Sequence, residues 1–113
     1  MNLSIDKTGA FPVAAMGGEW RATDGDDFRD ELHPLAAQAG SKLAIDLSGL
    51  EMIDSSGLST LIGVVTHARL CNARVVLVAP ASFVAGVFEV TNLDKWFEIC
   101  NDMDEATKLL SSD

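Results

Sequence analysis

The stretch KLAIDLSGLEMIDSSGLSTLIG, residues 42–63, decides the fold of this chain. It begins with a short apolar run, residues 42–47, which predicts a buried β-strand. Residues 48–54 then lead to two adjacent serines, Ser55 and Ser56. From Ser56 onward, apolar side chains recur at helical spacing, which predicts an amphipathic helix. A strand followed by a helix is the repeating unit of parallel α/β sheets, so this stretch indicates the fold class.

The same alternation continues on both sides of this stretch. Upstream, residues 2–6 and 11–18 read as strands and residues 23–40 as a helix. Downstream, we predict strands at 73–79 and 96–99, and helices at 81–90 and 102–110. Alternating strands and helices imply right-handed parallel crossovers. We therefore expect a single α/β domain over residues 1–113, with a mostly parallel sheet of about five strands and about four helices.

Three local signals refine the predicted helices. Thr23 or Asp24 can cap the first helix, because short polar side chains accept hydrogen bonds from unpaired backbone amides. Pro34 lies inside that helix and predicts a kink or a break. Asp102 or Asp104 can cap the last helix in the same way.

The charge of the chain limits its partners. The 17 acidic residues outnumber the 8 basic ones and give a net charge of −9. Nucleic acids and anionic membrane surfaces attract basic proteins, so we expect neither as a partner. An acidic surface favours a basic patch on a protein partner, and self-repulsion favours a monomer.

Hydropathy and cysteine content predict an intracellular protein. The apolar runs fall short of the roughly 18 residues that a transmembrane helix needs, and the N-terminus does not resemble a signal peptide. The two cysteines, Cys71 and Cys100, lack metal-ligand spacing, so we expect them to be reduced and packed. These features predict a cytoplasmic protein.

The two serines have three possible roles, of which the first is structural and the second is catalytic. One of them could cap the following helix. A nucleophilic serine instead needs a base within hydrogen-bond reach. His67 lies eleven residues beyond Ser56 on the same predicted helix, or about 16 Å, which excludes it. His33 lies on another helix and is not excluded by spacing, although both histidines are expected to be surface residues.

The third role is that of a regulatory phosphoserine. A phosphate at a helix N-terminus is favoured by the unpaired backbone amides and the helix dipole. Modification there would leave the fold intact and would place about two negative charges on an exposed turn. The result would be a switch in recognition rather than unfolding.

The chain resembles the STAS domain family, and specifically its stand-alone anti-sigma factor antagonists. The resemblance is carried by a strand ending in Asp46-Leu47-Ser48, a short gap, the sequence DSSGL at 54–58 and an apolar helix. The later sequence VFEVTNLDKWFEI, residues 87–99, resembles the closing helix and strand of the family. The resemblance extends over residues 3–110 and implies a mixed sheet in which the N-terminal strand is antiparallel.

The resemblance also implies a mechanism without catalysis by this chain and without a cofactor. The unphosphorylated protein would bind an anti-sigma factor, a serine kinase of the histidine-kinase-like ATPase type, and would release its sigma factor. Phosphorylation of Ser55 would break the complex, and a metal-dependent serine phosphatase would restore the starting state.

The family pattern assigns roles to residues around Ser55. Ser56 would cap the helix, and Asp54 would position Ser55 or contact the kinase. The side chains that border the docking surface would be Met52, Gly57 and Leu58.

One departure from the family pattern affects the docking surface. Many members carry Gly-Glu-Leu-Asp after the second strand, whereas this chain has Gly18, Glu19, Trp20 and Arg21. We expect Glu19, Trp20 and Arg21 to contribute to partner binding. Arg21 could pair with a phosphate on Ser55 or with Asp24. Trp20 could be packed in the core or exposed as a binding anchor.

Two alternatives remain at this level. The chain could be a scaffold subunit of a stressosome-like or lipid-transport ATPase complex, since domains that resemble this chain occur in both kinds of assembly. The partner switch could also control biofilm formation, motility or secretion instead of a sigma factor.

Overall fold

The computed structural model describes residues 1–21, 24–36 and 39–111. In this part of the chain, five strands and four α-helices follow one another. The strands are β1 (Asn2–Asp6), β2 (Val13–Trp20), β3 (Lys42–Ile53), β4 (Arg74–Val78) and β5 (Ile99–Cys100). The helices are α1 (Gly25–Ala36), α2 (Ser55–Leu70), α3 (Ser82–Val90) and α4 (Met103–Ser111).

The strands form one sheet in the order β1-β2-β3-β4-β5. β1 is antiparallel to β2, and every later neighbouring pair is parallel. Each parallel connection contains a helix, because a parallel strand can be reached only by a crossover. The predicted mixed α/β fold, including its antiparallel N-terminal strand, is confirmed.

The alternation of side chains along β3 divides the core between the two faces of the sheet. Leu43 and Ile45 belong to a large cluster that contains the buried residues of α1, α2 and α3. Ala44, between them, belongs to a smaller cluster that contains Ala106 and Leu110 of α4. Successive residues of a strand point to opposite faces, so three helices cover one face and α4 covers the other.

β3 is longer than the sequence predicted. The expected strand ended at residue 47, but β3 continues through residues 48–53 by pairing with the second half of β2. Gly17 lies opposite Gly49 in this pairing. A Cβ on Gly49 would lie only 2.9 Å from the Met16 carbonyl oxygen, so a glycine is needed for the close approach. The glycine that makes this segment resemble a loop, Gly49, thus belongs to a tightly packed strand pair.

β2 also extends beyond its predicted end. The glycine pair Gly17 and Gly18 was expected to terminate it, but the strand reaches Trp20. Gly18 has a φ of +79°, and the register with β3 shifts at this point. Glu19 and Trp20 are therefore strand residues, and Arg21 is the first residue after the strand.

The structure confirms one of the predicted helix caps and differs from the predicted helix break. α1 runs through Pro34 to Ala36, so the proline lies in the last turn and does not break the helix. Thr23 lies outside the described residues. The Asp24 carboxylate accepts the Arg21 N–H at 2.9 Å, and among the described contacts no amide of α1 donates to it. Asp102 accepts the Glu105 N–H at 2.8 Å, which confirms it as the cap of α4.

The last strand begins later than predicted. Residues 96–99 were expected to form it, but β5 consists of Ile99–Cys100 and follows a 3₁₀ turn at Leu93–Lys95. Phe97 is instead buried against Phe88 of α3, with ring centroids 5.1 Å apart. The apolar character of this segment reflects packing against a helix and not strand pairing.

Candidate functional site

Ser55 is the first residue of α2 and follows the end of β3 by two positions. Asp54 separates the two elements in an extended conformation, with φ −91° and ψ 178°. Its carboxylate accepts the Gly57 N–H at 2.8 Å, so Asp54 is the N-cap of α2. The expectation that Ser56 caps the helix is wrong, because Ser56 already lies within the first turn. Both serine side chains are exposed, and the helix is capped without either hydroxyl.

The backbone at the end of β2 is hydrogen-bonded to Asp54, the N-cap residue. The Asp54 N–H donates to the Trp20 carbonyl oxygen, 3.1 Å away. The last strand residue of β2 is thus fastened to the residue that precedes Ser55. Arg21, which follows Trp20, leaves the sheet directly beside the start of α2.

The Trp20 side chain lies beneath the site and not on its surface. It is 0% exposed and contacts Phe28 of α1, with ring centroids 4.3 Å apart. Gly57 is also buried, and a Cβ at that position would lie 2.9 Å from two indole carbons of Trp20. Among the described residues, nothing accepts a hydrogen bond from the buried Trp20 Nε1–H. Trp20 and Gly57, which we had placed on the docking surface, are therefore inaccessible and hold the helix start in place.

The accessible part of the predicted surface consists of other side chains. Met52 and Leu58 are half-buried on either side of Ser55 in the chain. The Arg21 guanidinium donates to the Glu19 carboxylate at 2.6 Å, and the two side chains are 65% and 44% exposed. The expected ion pair between Arg21 and Asp24 is absent from the described contacts; the guanidinium pairs with Glu19, and Asp24 accepts the backbone N–H of Arg21. Pairing with Glu19 raises the pKa of Arg21, with smaller contributions from Asp24 and Asp54.

Acidic side chains lie near the Arg21–Glu19 pair. A depression of about 350 Å³ is lined by Glu19, Arg21, Asp24 and Glu51, together with Met1 and Gly18. The ammonium group of Met1 lies 3.4 Å from Asp24. Glu51 and Asp24 were not recognised as site residues from the sequence, because only the pairing of β2 with β3 places them next to one another.

The two histidines are far from Ser55. His33 and His67 contact each other across α1 and α2, with ring centroids 3.9 Å apart. His67 Nε2 also lies 3.6 Å from the sulfur of Cys71. His67 is twelve residues from Ser55 on the same helix, which corresponds to about 18 Å. Neither histidine can act as a base for Ser55. Both were expected at the surface, but both are half-buried.

The remaining chemical features of the described residues are few. No three histidine, cysteine or acidic side chains among them are arranged to hold a metal ion. Cys71 and Cys100 form no disulfide in the structure; Cys100 is buried and Cys71 is half-buried. None of the described helices has the length and hydropathy needed to span a membrane.

Comparison with known proteins agrees with this geometry. The sequence model of the family described as "Mlab, STAS domain" matches residues 3–104. A Bordetella bronchiseptica protein, BtrV, whose name marks it as a proposed anti-sigma factor antagonist, is 24% identical over 106 residues. That alignment covers 94% of this chain and 91% of BtrV.

Two solved structures have the same fold. The anti-sigma factor antagonist SpoIIAA in its unphosphorylated form superposes with a TM-score of 0.79 at 17% identity, covering 99% of each chain. The Bacillus cell fate determinant SpoIIAA in the phosphorylated form superposes with a TM-score of 0.73 at 17% identity, covering 96% of this chain and 99% of the other. At these identities the structures establish a common fold.

Proposed function

The chain belongs to the STAS domain family, and from that we propose that it is a partner switch of the anti-sigma factor antagonist type, controlled by phosphorylation of Ser55. The observation that carries the proposal is that Asp54 caps α2, so that the exposed Ser55 hydroxyl makes no hydrogen bond among the described contacts. A phosphate on Ser55 would therefore alter the surface and leave the fold unchanged. The names of BtrV and SpoIIAA support the same role.

The chemistry of the switch is supplied by the partner. In phosphoryl transfer from ATP, a bond forms between the Ser55 Oγ and the γ-phosphorus. The bond between the γ-phosphorus and the β–γ bridging oxygen breaks, which releases ADP. The hydroxyl proton passes to a catalytic base that the kinase supplies. This chain contributes an exposed hydroxyl on a rigid helix start and is a substrate, not an enzyme. We propose a kinase of the histidine-kinase-like ATPase type and a metal-dependent phosphatase.

The docking surface combines a small apolar patch with an acidic border. Met52 and Leu58 are the half-buried apolar side chains nearest to Ser55 in the chain, and the acidic border consists of Asp24 and Glu51, while Glu19 is paired with Arg21. Charge complementarity favours a basic patch on the kinase. A phosphate, with a charge of about −2, adjacent to a partner's apolar contact would weaken the complex by desolvation. We propose that the unphosphorylated protein acts as a monomeric domain in the cytoplasm.

The first experiment is an affinity capture from the native cell extract, read by mass spectrometry. The baits are the wild type, Ser55→Ala and Ser55→Asp. Ser59→Ala and Ser59→Asp serve as matched controls, because Ser59 is equally exposed one turn further along α2. We expect Ser55→Ala to retain an ATPase-type kinase, Ser55→Asp to lose it, and both Ser59 variants to behave as the wild type.

A phosphorylation assay with the captured kinase completes the test. ATP should label the wild type and the Ser59→Ala variant to equal extents and should leave Ser55→Ala unlabelled. Equal labelling of Ser55→Ala would contradict the assignment of the phosphorylated residue. Capture of the same proteins by Ser55→Ala and Ser55→Asp would contradict the switch itself.

A second candidate, a scaffold subunit of a larger assembly, is favoured by one observation. Phe83 and Val90 on α3 are 55% and 84% exposed, and an exposed apolar helix face suits a permanently bound neighbour. The same captures distinguish the two functions. A scaffold would recover transporter or large-assembly subunits with every bait, regardless of the residue at position 55.

A further inference from the structure

We propose that Arg21 binds the phosphate on Ser55 and that it does so by leaving Glu19. The inference rests on the proposed function in one respect, since it concerns the phosphorylated form of Ser55. It adds to that function a residue, Arg21, that recognises the phosphate. It also adds a second change of the docking surface on phosphorylation, the loss of the Arg21–Glu19 pair.

The backbone places Arg21 beside the modified residue. The Trp20 carbonyl oxygen accepts the Asp54 N–H at 3.1 Å, so the positions that follow these two, Arg21 and Ser55, extend from a single hydrogen-bonded junction. The Arg21 side chain is 65% exposed, and no core packing fixes its direction. The pKa of Arg21 is raised first by Glu19 and also by the charge of Asp54, the residue adjacent to Ser55. The guanidinium thus already lies within the electrostatic range of the cap.

The surrounding charges select Arg21 as the counter-ion. The side chains that share the depression, Glu19, Asp24 and Glu51, are acidic and would repel a phosphate. The other cationic group there, the ammonium of Met1, is occupied by Asp24 at 3.4 Å. Arg21 is therefore the cation at this depression, within the described residues, that can offset the new charge.

The exchange of partners is energetically reasonable. An ion pair between exposed side chains, such as Arg21 with Glu19, contributes little to stability and is screened by salt. A phosphate carries about two charges and three acceptor oxygens, and its geometry matches the two-pronged donation of a guanidinium. A lysine would offer only a point charge. Arg21 should therefore prefer the phosphate to the Glu19 carboxylate.

The consequence is a change at two places on the docking surface. In the unphosphorylated form, Arg21 and Glu19 neutralise each other on either side of Trp20, whose carbonyl oxygen accepts the Asp54 N–H. After phosphorylation, Arg21 would turn towards the phosphate and leave the Glu19 carboxylate uncompensated. A kinase that had bound beside a neutral pair would then meet an additional negative charge at Glu19 as well as the phosphate.

The test uses protein in which phosphoserine is inserted at position 55 during translation, so that no kinase is needed. The ³¹P resonance of the phosphate is followed by NMR as a function of pH, which gives the midpoint of its second ionisation. A nearby cation favours the dianion and lowers this midpoint. We compare the otherwise wild-type protein with Arg21→Ala, Arg21→Lys and Glu19→Gln.

We expect Arg21→Ala to move the midpoint upward by roughly half a pH unit. Arg21→Lys should restore part of the difference, and Glu19→Gln should move the midpoint downward, because the competing carboxylate is gone. Lys7→Ala is the charge-matched control. Lys7 is exposed and follows β1, at the opposite end of β2 from Trp20, so its removal should leave the midpoint unchanged.

Equal midpoints in the phosphorylated wild type and in Arg21→Ala would overturn the inference. An equal shift in Lys7→Ala would also overturn it, because the effect would then reflect net charge and not a contact. Neither result would affect the proposed function, which depends on the capture and labelling experiments. Conversely, failure of those experiments would leave the phosphate titration interpretable.

Discussion

The Trp20 indole fills the space that a side chain at Gly57 would need at the start of α2. A Cβ on Gly57 would lie 2.9 Å from Cδ1 and Cγ of the indole, and 3.0 Å from a side-chain carbon of Ile53. Trp20 is completely buried, so its ring has no space into which it can move. The glycine of the DSSGL sequence is thus required by packing, and the fold depends on it before any partner is considered.

Gly57→Ala should therefore destabilise the protein, although alanine favours helices over glycine. Overpacking of this kind costs about 1–3 kcal/mol in the free energy of unfolding. Chemical denaturation, monitored by the fluorescence of Trp20, measures it. Gly63→Ala on the same helix is the control, since a Cβ there meets nothing within 4 Å and should stabilise by up to about 1 kcal/mol. Equal stabilities for the two variants would contradict the contact with Trp20.

Asp54→Ala should destabilise the protein by about 1 kcal/mol, because the Gly57 N–H would lose its acceptor. Asp54→Asn keeps an oxygen in the same place and should retain most of the stability. Ser56→Ala should be almost neutral, since Ser56 lies beyond the cap. Thermal unfolding followed by circular dichroism separates the three variants. A loss in Ser56→Ala as large as that in Asp54→Ala would restore the serine as the cap.

The protein should lose stability in acid through the protonation of Asp24. The hydrogen bond from the Arg21 N–H, followed by the pairing with the ammonium of Met1, lowers the pKa of Asp24 below its ordinary value of 3.8, against the effect of burial. A carboxyl whose pKa is lower in the folded state stabilises the protein above its unfolded pKa. This contribution disappears as the pH falls through the folded value.

Asp24→Asn should accordingly lower the melting temperature at pH 7. The difference from the wild type should shrink as the pH falls below 3.8, where Asp24 of the wild type also becomes protonated. Melting curves recorded between neutral pH and the acid limit of folding provide the measurement. A difference that stays constant over the whole range would show that the charge of Asp24 is not involved.

The two cysteines should differ in reactivity. Burial, followed by the negative charge of Glu105, raises the pKa of the Cys100 thiol, and its side chain is 2% exposed. Cys71 is half-buried at the end of α2. Because the thiolate is the reactive species, an alkylating reagent near pH 8 should modify Cys71 first and Cys100 only on unfolding. Peptide mapping against time tests this order, and Cys71→Ser is the control that isolates Cys100.

The order of the strands and helices could be predicted from local patterns. Hydrophobic periodicity depends on neighbouring residues, which is why α2, α3 and β4 were placed within a residue or two of their true ends. The second half of β3 was missed for the opposite reason. Its adjacent serine and glycine, Ser48 and Gly49, resemble a loop, and only the close approach of β2 at Gly49 makes them part of a strand.

The sequence predicted where the candidate site lies, but it did not predict every side chain that forms it. The sequence identified Ser55 at a junction between a strand and a helix. It did not indicate that Trp20 is buried or that Arg21 pairs with Glu19, because these outcomes depend on how β2 ends beside α2. The contact between His33 and His67 is of the same kind, since it requires α1 to lie against α2.

The sequence by itself determined the fold class, the acidic character and the place of the serines, because composition and periodicity act within short segments. The tertiary structure alone decided which group caps α2, which side chains remain accessible and which charges meet beside Ser55. Those choices depend on the Trp20 carbonyl and the Asp54 N–H, which are distant in the chain and meet only where β2 pairs with β3. The accessible chemistry of the site is thus a consequence of strand pairing.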